Sequence, residues 1–325
     1  MKDRVADPVR QIADAVLYEG YVLWPYRRSA LKNQQRFTFG GVYPRGWPED
    51  RSELRTECLL SASSDPRVQI TVRFLQVVRR RLRDAAGREV DELWVGERRH
   101  LAWEEAVERE VAIAALPARI PIAIAAGERE EALSDAGGEP AGSIVRGWRE
   151  LRGTVEVDAE RLGANLWRLR VLVANDARWR GEPRAETLER TLCSTHAVLR
   201  ARSGEFVSLT DPPEGLREEA ADCRNEGAWP VLVGEPPDRS TLLAAPIILE
   251  DYPRVAPESP GDLFDGGEID QLLTLSILSL SDEEKAEMRD SDPRAREILE
   301  RTEALSDHEL MRLHGAIREF GLSRR

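Results

Sequence analysis

The chain has 325 residues, is 41% hydrophobic and 33% charged, and carries a formal net charge of -12. That length and apolar content suit a globular protein of about two domains, or one large β-rich domain with additions. The excess of acid argues against sequence-independent binding to nucleic acid, which needs a basic face to displace phosphate counterions.

The first residues, Met1-Lys-Asp-Arg-Val-Ala-Asp-Pro8, mix charges of both signs and lack the apolar run of a secretory leader. Residues 7–18 read as a helix: Asp7 suits an N-cap, Pro8 suits the first helical position, and Val9, Ile12, Ala13, Val16 and Leu17 share a face. Gly20 and Pro25 stop it. The stretch from Tyr18 to Gly41 is aromatic and basic, with Tyr18, Tyr21, Trp24, Tyr26, Arg27, Arg28, Lys32, Asn33 and Arg36, and it ends in the alternating run Gln35-Arg-Phe-Thr-Phe-Gly40.

From about 52 to 210 the chain reads mostly as strands separated by polar turns. Val68–Val78 is β-branched, and Arg79-Arg-Arg-Leu-Arg83 after it reads as a solvated strand face or hairpin end. Ala102–Ile113 settles on neither period. The most apolar stretch, Val111–Ala126, is broken by Pro117, Arg119 and Pro121 and is too short to span a bilayer. Thr154–Ala159 and Leu166–Asn175 alternate well, with Asn175-Asp176 as the stop. Thr195–Arg202 and Glu205–Leu209 form a candidate hairpin about Ser203-Gly204. After 211 a short helix reaches about Cys223, a strand covers Trp229–Gly234, and the extended run from Pro246 to Asp270 follows. Ser281-Asp-Glu-Glu284 and Ser306-Asp-His-Glu309 are capping boxes that open helices in the tail. The expected fold is therefore mainly β (α+β): an antiparallel β-sandwich or barrel-like core, with an N-terminal helix and a C-terminal helical tail. The segments are 1–50, the helix and aromatic-basic stretch packed on the core; 51–210, the β domain; 211–280, a mixed region; and 281–325, helices. The absence of βαβ alternation disfavours a doubly wound nucleotide fold.

Cys58, Cys193 and Cys223 are too few and too scattered for a disulfide framework, so a reduced cytoplasmic protein is expected. Cys193-x-x-His196 with Cys223 has the residue types of a zinc site, although on a regular strand 193 and 196 point to opposite faces, and a buried cysteine beside an unrelated histidine fits equally. Cys223-Arg-Asn-Glu226 offers a thiol with polar helpers, Arg224, Asn225 and Glu226, but no histidine base nearby in sequence. The run from Pro246 opposes a helix through Pro253, Pro257 and Pro260, and sets Glu250, Asp251, Glu258, Asp262, Asp265, Glu268 and Asp270 among apolar anchors such as Tyr252 and Phe264. Three uses are open for this acidic loop: pairing with Arg27, Arg28, Lys32 and Arg36 inside the chain, docking a basic partner, or holding a hard cation. Gly-x-Gly-x-x-Gly, the Walker loop, Gly-x-Ser-x-Gly and His-Glu-x-x-His are all missing.

Three blocks carry a resemblance: Ala13-Asp-Ala-Val-Leu-Tyr-Glu-Gly-Tyr-Val-Leu-Trp-Pro-Tyr-Arg27 with Lys32-Asn33, Cys223-Arg-Asn-Glu-Gly-Ala-Trp-Pro230, and Asp251-Tyr-Pro253 through Asp265 to Asp270. Together with Leu280–Arg289 and Leu313-His-Gly315 they resemble an uncharacterised bacterial family encoded beside uptake nickel–iron (NiFe) hydrogenases of the actinobacterial type. The resemblance implies a non-catalytic accessory, assembly or scaffolding role, with NiFe hydrogenase subunits or their maturation proteins as partners. No catalytic residue or cofactor comes with it. On that reading Asp251, Tyr252, Glu258, Asp262 and Asp265 form a docking face, supported by Tyr18, Glu19, Tyr26, Arg27 and Asn33. The alternative is an enzyme of unknown class, with or without a metal, whose polar pocket lies between residues 18–41 and 223–270.

Overall fold

The computed structural model describes residues 39–253, the helical residues Ile12 and Ala13, and a few helical residues between Asp282 and Glu303. Its strands in chain order are β1 (Glu53–Ser61), β2 (Val68–Asp84), β3 (Glu89–Val90), β4 (Glu92–Val95), β5 (Arg98–Leu101), β6 (Trp103–Ile113), β7 (Ala118–Ile124), β8 (Gly127–Ser134), β9 (Pro140–Trp148), β10 (Leu151–Arg161) and β11 (Leu166–Asn175). A short helix α1 (Arg184–Leu188) precedes β12 (Cys193–Ala201) and β13 (Glu205–Val207), and α2 (Arg217–Ala221) precedes β14 (Trp229–Leu232) and β15 (Thr241–Ala245).

The fold is an antiparallel β-sandwich whose sheets do not close into a barrel. One sheet is five-stranded, ordered β13-β1-β11-β10-β7. The other runs β14-β15-β12-β2-β9-β8, with β6 and β3 on the far edge of β2. The long β2 is its spine: one edge pairs first with β12 and then with β9, the other with β6 and then β3.

Alternation explains the core. Leu54, Cys58 and Leu60 of β1, Trp167, Leu169, Val171 and Val173 of β11, and Val155 and Val157 of β10 point inward. They meet Val68, Ile70, Val72 and Phe74 of β2, Ala197 and Leu199 of β12, and Leu242 and Ala244 of β15. Each large apolar side chain buried here contributes about 1.5–3 kcal/mol. The two sheets differ on their outer faces. The five-stranded sheet turns charged residues outward along most of its width. The second sheet is covered on that side too: Leu75, Val77 and Cys193 pack under Tyr43, Trp47 and Leu188, and Val198, Val231, Leu243 and Ala245 pack with Ala13, Ile247 and Leu249. Burial on both faces accounts for the near-continuous apolar run of β2, whose period is partly blurred.

Local signals behave as their chemistry requires. Asn175 ends β11 because its buried amide is spoken for. It donates to the carbonyls of Val42 at 2.9 Å and Arg190 at 2.8 Å, and accepts from the Ala177 N–H at 3.0 Å. Gly204 turns the chain with φ +86°, and a Cβ there would strike the Ser61 carbonyl. The ambiguous Ala102–Ile113 run is strand β6, half exposed along much of its length, which is why neither period dominated. The basic run is not a uniformly solvated face. Arg79, Arg81 and Arg83 pair with Glu189, Glu128 and Glu130, whereas Arg80 is buried beside Glu105 and His100. Alternation along β2 separates the two sets. Among the described residues no helix is long and apolar enough to cross a membrane.

Candidate functional site

The outer face of the five-stranded sheet carries a cleft of about 720 Å³, lined by Arg55, Glu57, Asp158, Ala159, Glu160, Arg168, Arg170, Ala221, Asp222 and Arg224. Strand register builds its floor. Arg170 of β11 lies between Glu57 of β1 and Asp158 of β10, and Arg168 lies between Leu59 and Glu160. Cross-strand opposite charges are mutually stabilising at this spacing. A basic stripe on β11 thus runs beside an acidic stripe on β10. The wall is made further along the same face, where α2 and its flanks cover Leu59 and Val207 through Leu216, Ala220 and Cys223. The segment after α2 then descends along β1.

That segment is Cys223-Arg-Asn-Glu226, and its backbone is fastened to β1. The Arg55 N–H donates to the Glu226 carbonyl at 2.9 Å, and the Glu226 N–H donates back at 2.8 Å. Asn225 Oδ1 accepts from the Glu57 N–H at 2.8 Å and from Thr56 Oγ1 at 3.0 Å. Glu57 is the hub. Its side chain is only 5% exposed, pairs with Arg55, and accepts the Arg224 N–H at 2.8 Å. Burial pushes its carboxyl pKa up. The Arg224 N–H and the Arg55 guanidinium, helped by Arg168, outweigh that and hold it below the usual carboxylate value.

The cations of the cleft are unequally committed. Arg170 pairs with Asp158. Arg168, with 19% of its side chain exposed, reaches Glu160 only at 3.5 Å and Asp222 only at 3.9 Å. The Nε atoms of Arg168 and Arg170 are buried without a hydrogen-bond acceptor. The Arg224 side chain is exposed and has no ion-pair partner among the described residues.

Cys223 sits half-buried at the wall, its thiol donating to the Glu219 carbonyl at 3.5 Å. Burial raises its pKa to about 11 although the Arg168 guanidinium pulls the other way. Buried Cys58 next to it is pushed up further by burial. Both are thiols at neutral pH, so neither is a ready nucleophile.

The proposed zinc ligands do not assemble. Between Cys193 and His196 the pairing with β2 slips by one residue, a bulge that also puts Ser194 at φ +54°. Cys193 then lies opposite Leu75 and His196 opposite Arg73, so the two share a face, contrary to the expectation from regular alternation. Cys193 is packed in the cluster with Tyr43 and Trp47. His196 is wholly buried, with Nδ1 3.1 Å from the Ser194 carbonyl, and burial lowers its pKa to about 3. Cys223 belongs to the wall on the other sheet. Among the described residues no three His, Cys, Asp or Glu side chains are grouped to hold a metal ion.

The expected docking residues are used differently from the reading above. The Asp251 carboxylate accepts from Ser208 Oγ, from Thr210 Oγ1 at 2.8 Å and from the Leu232 N–H at 2.8 Å. Tyr252 has φ +56°, packs on the main core and donates its hydroxyl to the Asp238 carbonyl at 3.0 Å. Both fasten the end of the run to the sandwich while staying partly exposed. Tyr18, Glu19, Tyr26, Arg27, Asn33, Glu258, Asp262 and Asp265 lie outside the described residues. Of Arg224, Asn225 and Glu226, Arg224 lines the cleft, while Asn225 through its amide oxygen and Glu226 through its backbone hold the segment to β1 beside it. The floor residues Glu57, Asp158, Glu160, Arg168 and Arg170 were missed. Their signal was the alternate-residue charge on three predicted or plausible strands, but only the register places them side by side.

No family model and no curated protein matches the chain.

Proposed function

We propose that the protein is a non-catalytic accessory factor that docks a partner through the charged cleft. The observation that carries this reading is the cleft itself: four arginines and four carboxylates spread over an open sheet face, mostly paired with one another. Such a surface suits electrostatic complementarity with a protein partner, which governs specificity and encounter rate. The ionisation states point the same way. The cleft's carboxylate hub is held charged, its thiol is held protonated, and the described histidine of the Cys-x-x-His pair is buried elsewhere and neutral. A general base and nucleophile poised near neutrality would be tuned in the opposite sense. On the resemblance of the sequence, the client is a NiFe hydrogenase subunit or one of its maturation proteins, met in the cytoplasm.

The test is purification from the native host under reducing conditions, with co-purifying proteins and metals measured together. Stoichiometric hydrogenase subunits are expected with the wild-type chain. They are expected to be lost from a Glu160→Lys, Asp222→Lys double variant, whose sites are 66% and 77% exposed and whose retained fold is checked by its urea midpoint. A variant that keeps its client, or a lone protein that carries stoichiometric metal, overturns the reading.

A further inference from the structure

An open sandwich leaves strand edges, and an uncovered edge is a template for another strand. The chain deals with its edges in different ways. β14 is covered: the Leu232 N–H donates to Asp251 Oδ1 at 2.8 Å, and the Leu232 carbonyl accepts the Tyr252 N–H at 2.7 Å. β13 is covered at Phe206, whose N–H donates to the Arg239 carbonyl at 2.8 Å. β6 and β8 set charge on both of their faces, through Glu108-Arg109-Glu110 and Glu128-Arg129-Glu130. β7 has neither cover nor such charge. It reads Ala-Arg-Ile-Pro-Ile-Ala-Ile, and among the described residues it pairs with β10 alone.

The register fixes which backbone groups of β7 face the open side. Pairing with β10 runs without a shift from Ala118 to Ile124 and sets Pro121 opposite Thr154. Proline has no N–H, so the ladder bonds to β10 fall to Ala118, Ile120, Ile122 and Ile124. The side chains of these four also pack on the core. Arg119, Pro121 and Ala123 therefore aim their backbone groups at the open edge, and all three are exposed.

That edge is complementary to itself. An antiparallel second copy centred on residue 121 sets Ile120 opposite Ile122, Arg119 opposite Ala123 and Ala118 opposite Ile124. No like charges face each other, and the half-buried Ile120 and Ile124 gain apolar cover. At the centre residue 121 meets its own copy in a bonded pair, where each residue donates its N–H to the other. Proline removes both of those donors, and its ring fills the space the bonds would cross.

We propose that β7 is an edge fitted to a second copy of this chain, and that Pro121 keeps the two copies apart. The inference is independent of the cleft, which lies on the outer face of the sheet and not on this edge.

The test compares full-length wild type and Pro121→Thr by sedimentation velocity up to about 100 µM. Threonine suits a strand and restores the missing donor without touching a bond to β10. The variant is expected to self-associate about tenfold more tightly than the wild type, or more, through the two regained hydrogen bonds. Adding Ala123→Pro to it removes another edge-facing donor and is expected to return sedimentation to the wild-type pattern. Association of Pro121→Thr equal to that of the wild type overturns the proposal, as does tighter association that Ala123→Pro leaves in place. A measurement on the wild type stands if the variants do not fold. Native-state hydrogen exchange should find the Arg119 and Ala123 amides unprotected and the Ile120 and Ile122 amides protected. Protection of Arg119 and Ala123 in the wild type shows an edge already covered and overturns the proposal.

Discussion

Glu57→Gln tests the hub of the cleft. The wild-type carboxylate is 5% exposed, accepts Arg55 Nε at 3.1 Å on one oxygen and the Arg224 N–H at 2.8 Å on the other. Glutamine keeps one acceptor and turns an NH2 group toward a donor, so one of the two interactions is lost and replaced by a donor–donor contact. A hydrogen bond to a charged group is worth about 1.5–3 kcal/mol, and the partly exposed Arg55 side of the pair is discounted toward the lower end. The expected loss is about 2 kcal/mol at neutral pH, read as a shift of the urea midpoint with unchanged slope. The pH dependence gives the second check. The folded pKa of Glu57 lies below its ordinary value of 4.5, so its stabilising contribution is fully present above that value and is lost as pH falls through the folded pKa. The wild-type and variant curves should therefore converge on acidification. A difference below ~0.5 kcal/mol at neutral pH, or one that widens in acid, refutes the account of Glu57 as a charged, bonded hub.

Asn175→Ala removes three buried hydrogen bonds that join β11 to the segments at Val42, Ala177 and Arg190, and should cost about 3 kcal/mol in chemical denaturation; a loss under ~1 kcal/mol would show that those groups find other partners. His196, with its pKa lowered from 6.5 to about 3, should show no imidazole titration by NMR between about pH 5 and 8. The sign follows: the unfolded chain takes up a proton below 6.5 that the folded chain refuses, so stability present above 6.5 is lost as pH falls toward 3. A resonance of His196 titrating near its ordinary value contradicts its burial. Iodoacetamide at neutral pH should label Cys223 alone, and slowly, while Cys58 and Cys193 react only on unfolding; prior labelling of either buried cysteine contradicts the placement.

The strands of the sandwich were written in period-two alternation. Leu166–Asn175 is β11 with the expected bounds because its inward residues Trp167, Leu169, Val171 and Val173 are apolar and alternate with outward Arg168 and Arg170, until the buried amide of Asn175 ends the run. Where both faces are buried, or neither is, the pattern failed: β6 was ambiguous, and β2 ran on through Arg79–Arg83 because it pairs along both edges there. Asn175, Gly204 and the residues around α2 announced their turns through side-chain chemistry that acts within a few residues.

Everything that requires two distant strands to meet belonged to the tertiary structure. Alternation placed Asp158, Arg168 and Arg170 on strands, but a carboxylate on one strand becomes a neighbour of an arginine on another only through register, which also brings in Glu57 and Glu160. The bulge between Cys193 and His196 is likewise set by pairing with β2, and it reversed a facing that alternation alone had assigned. The run Cys223–Glu226 was visible as a motif, yet its role as the fastened wall of a cleft depends on Glu57 and Thr56 being within hydrogen-bond reach across more than a hundred residues of chain. Periodicity is a local property that the sequence carries in itself. Adjacency is decided by the global arrangement that buries both sheets against one core, and the cleft is a product of adjacency.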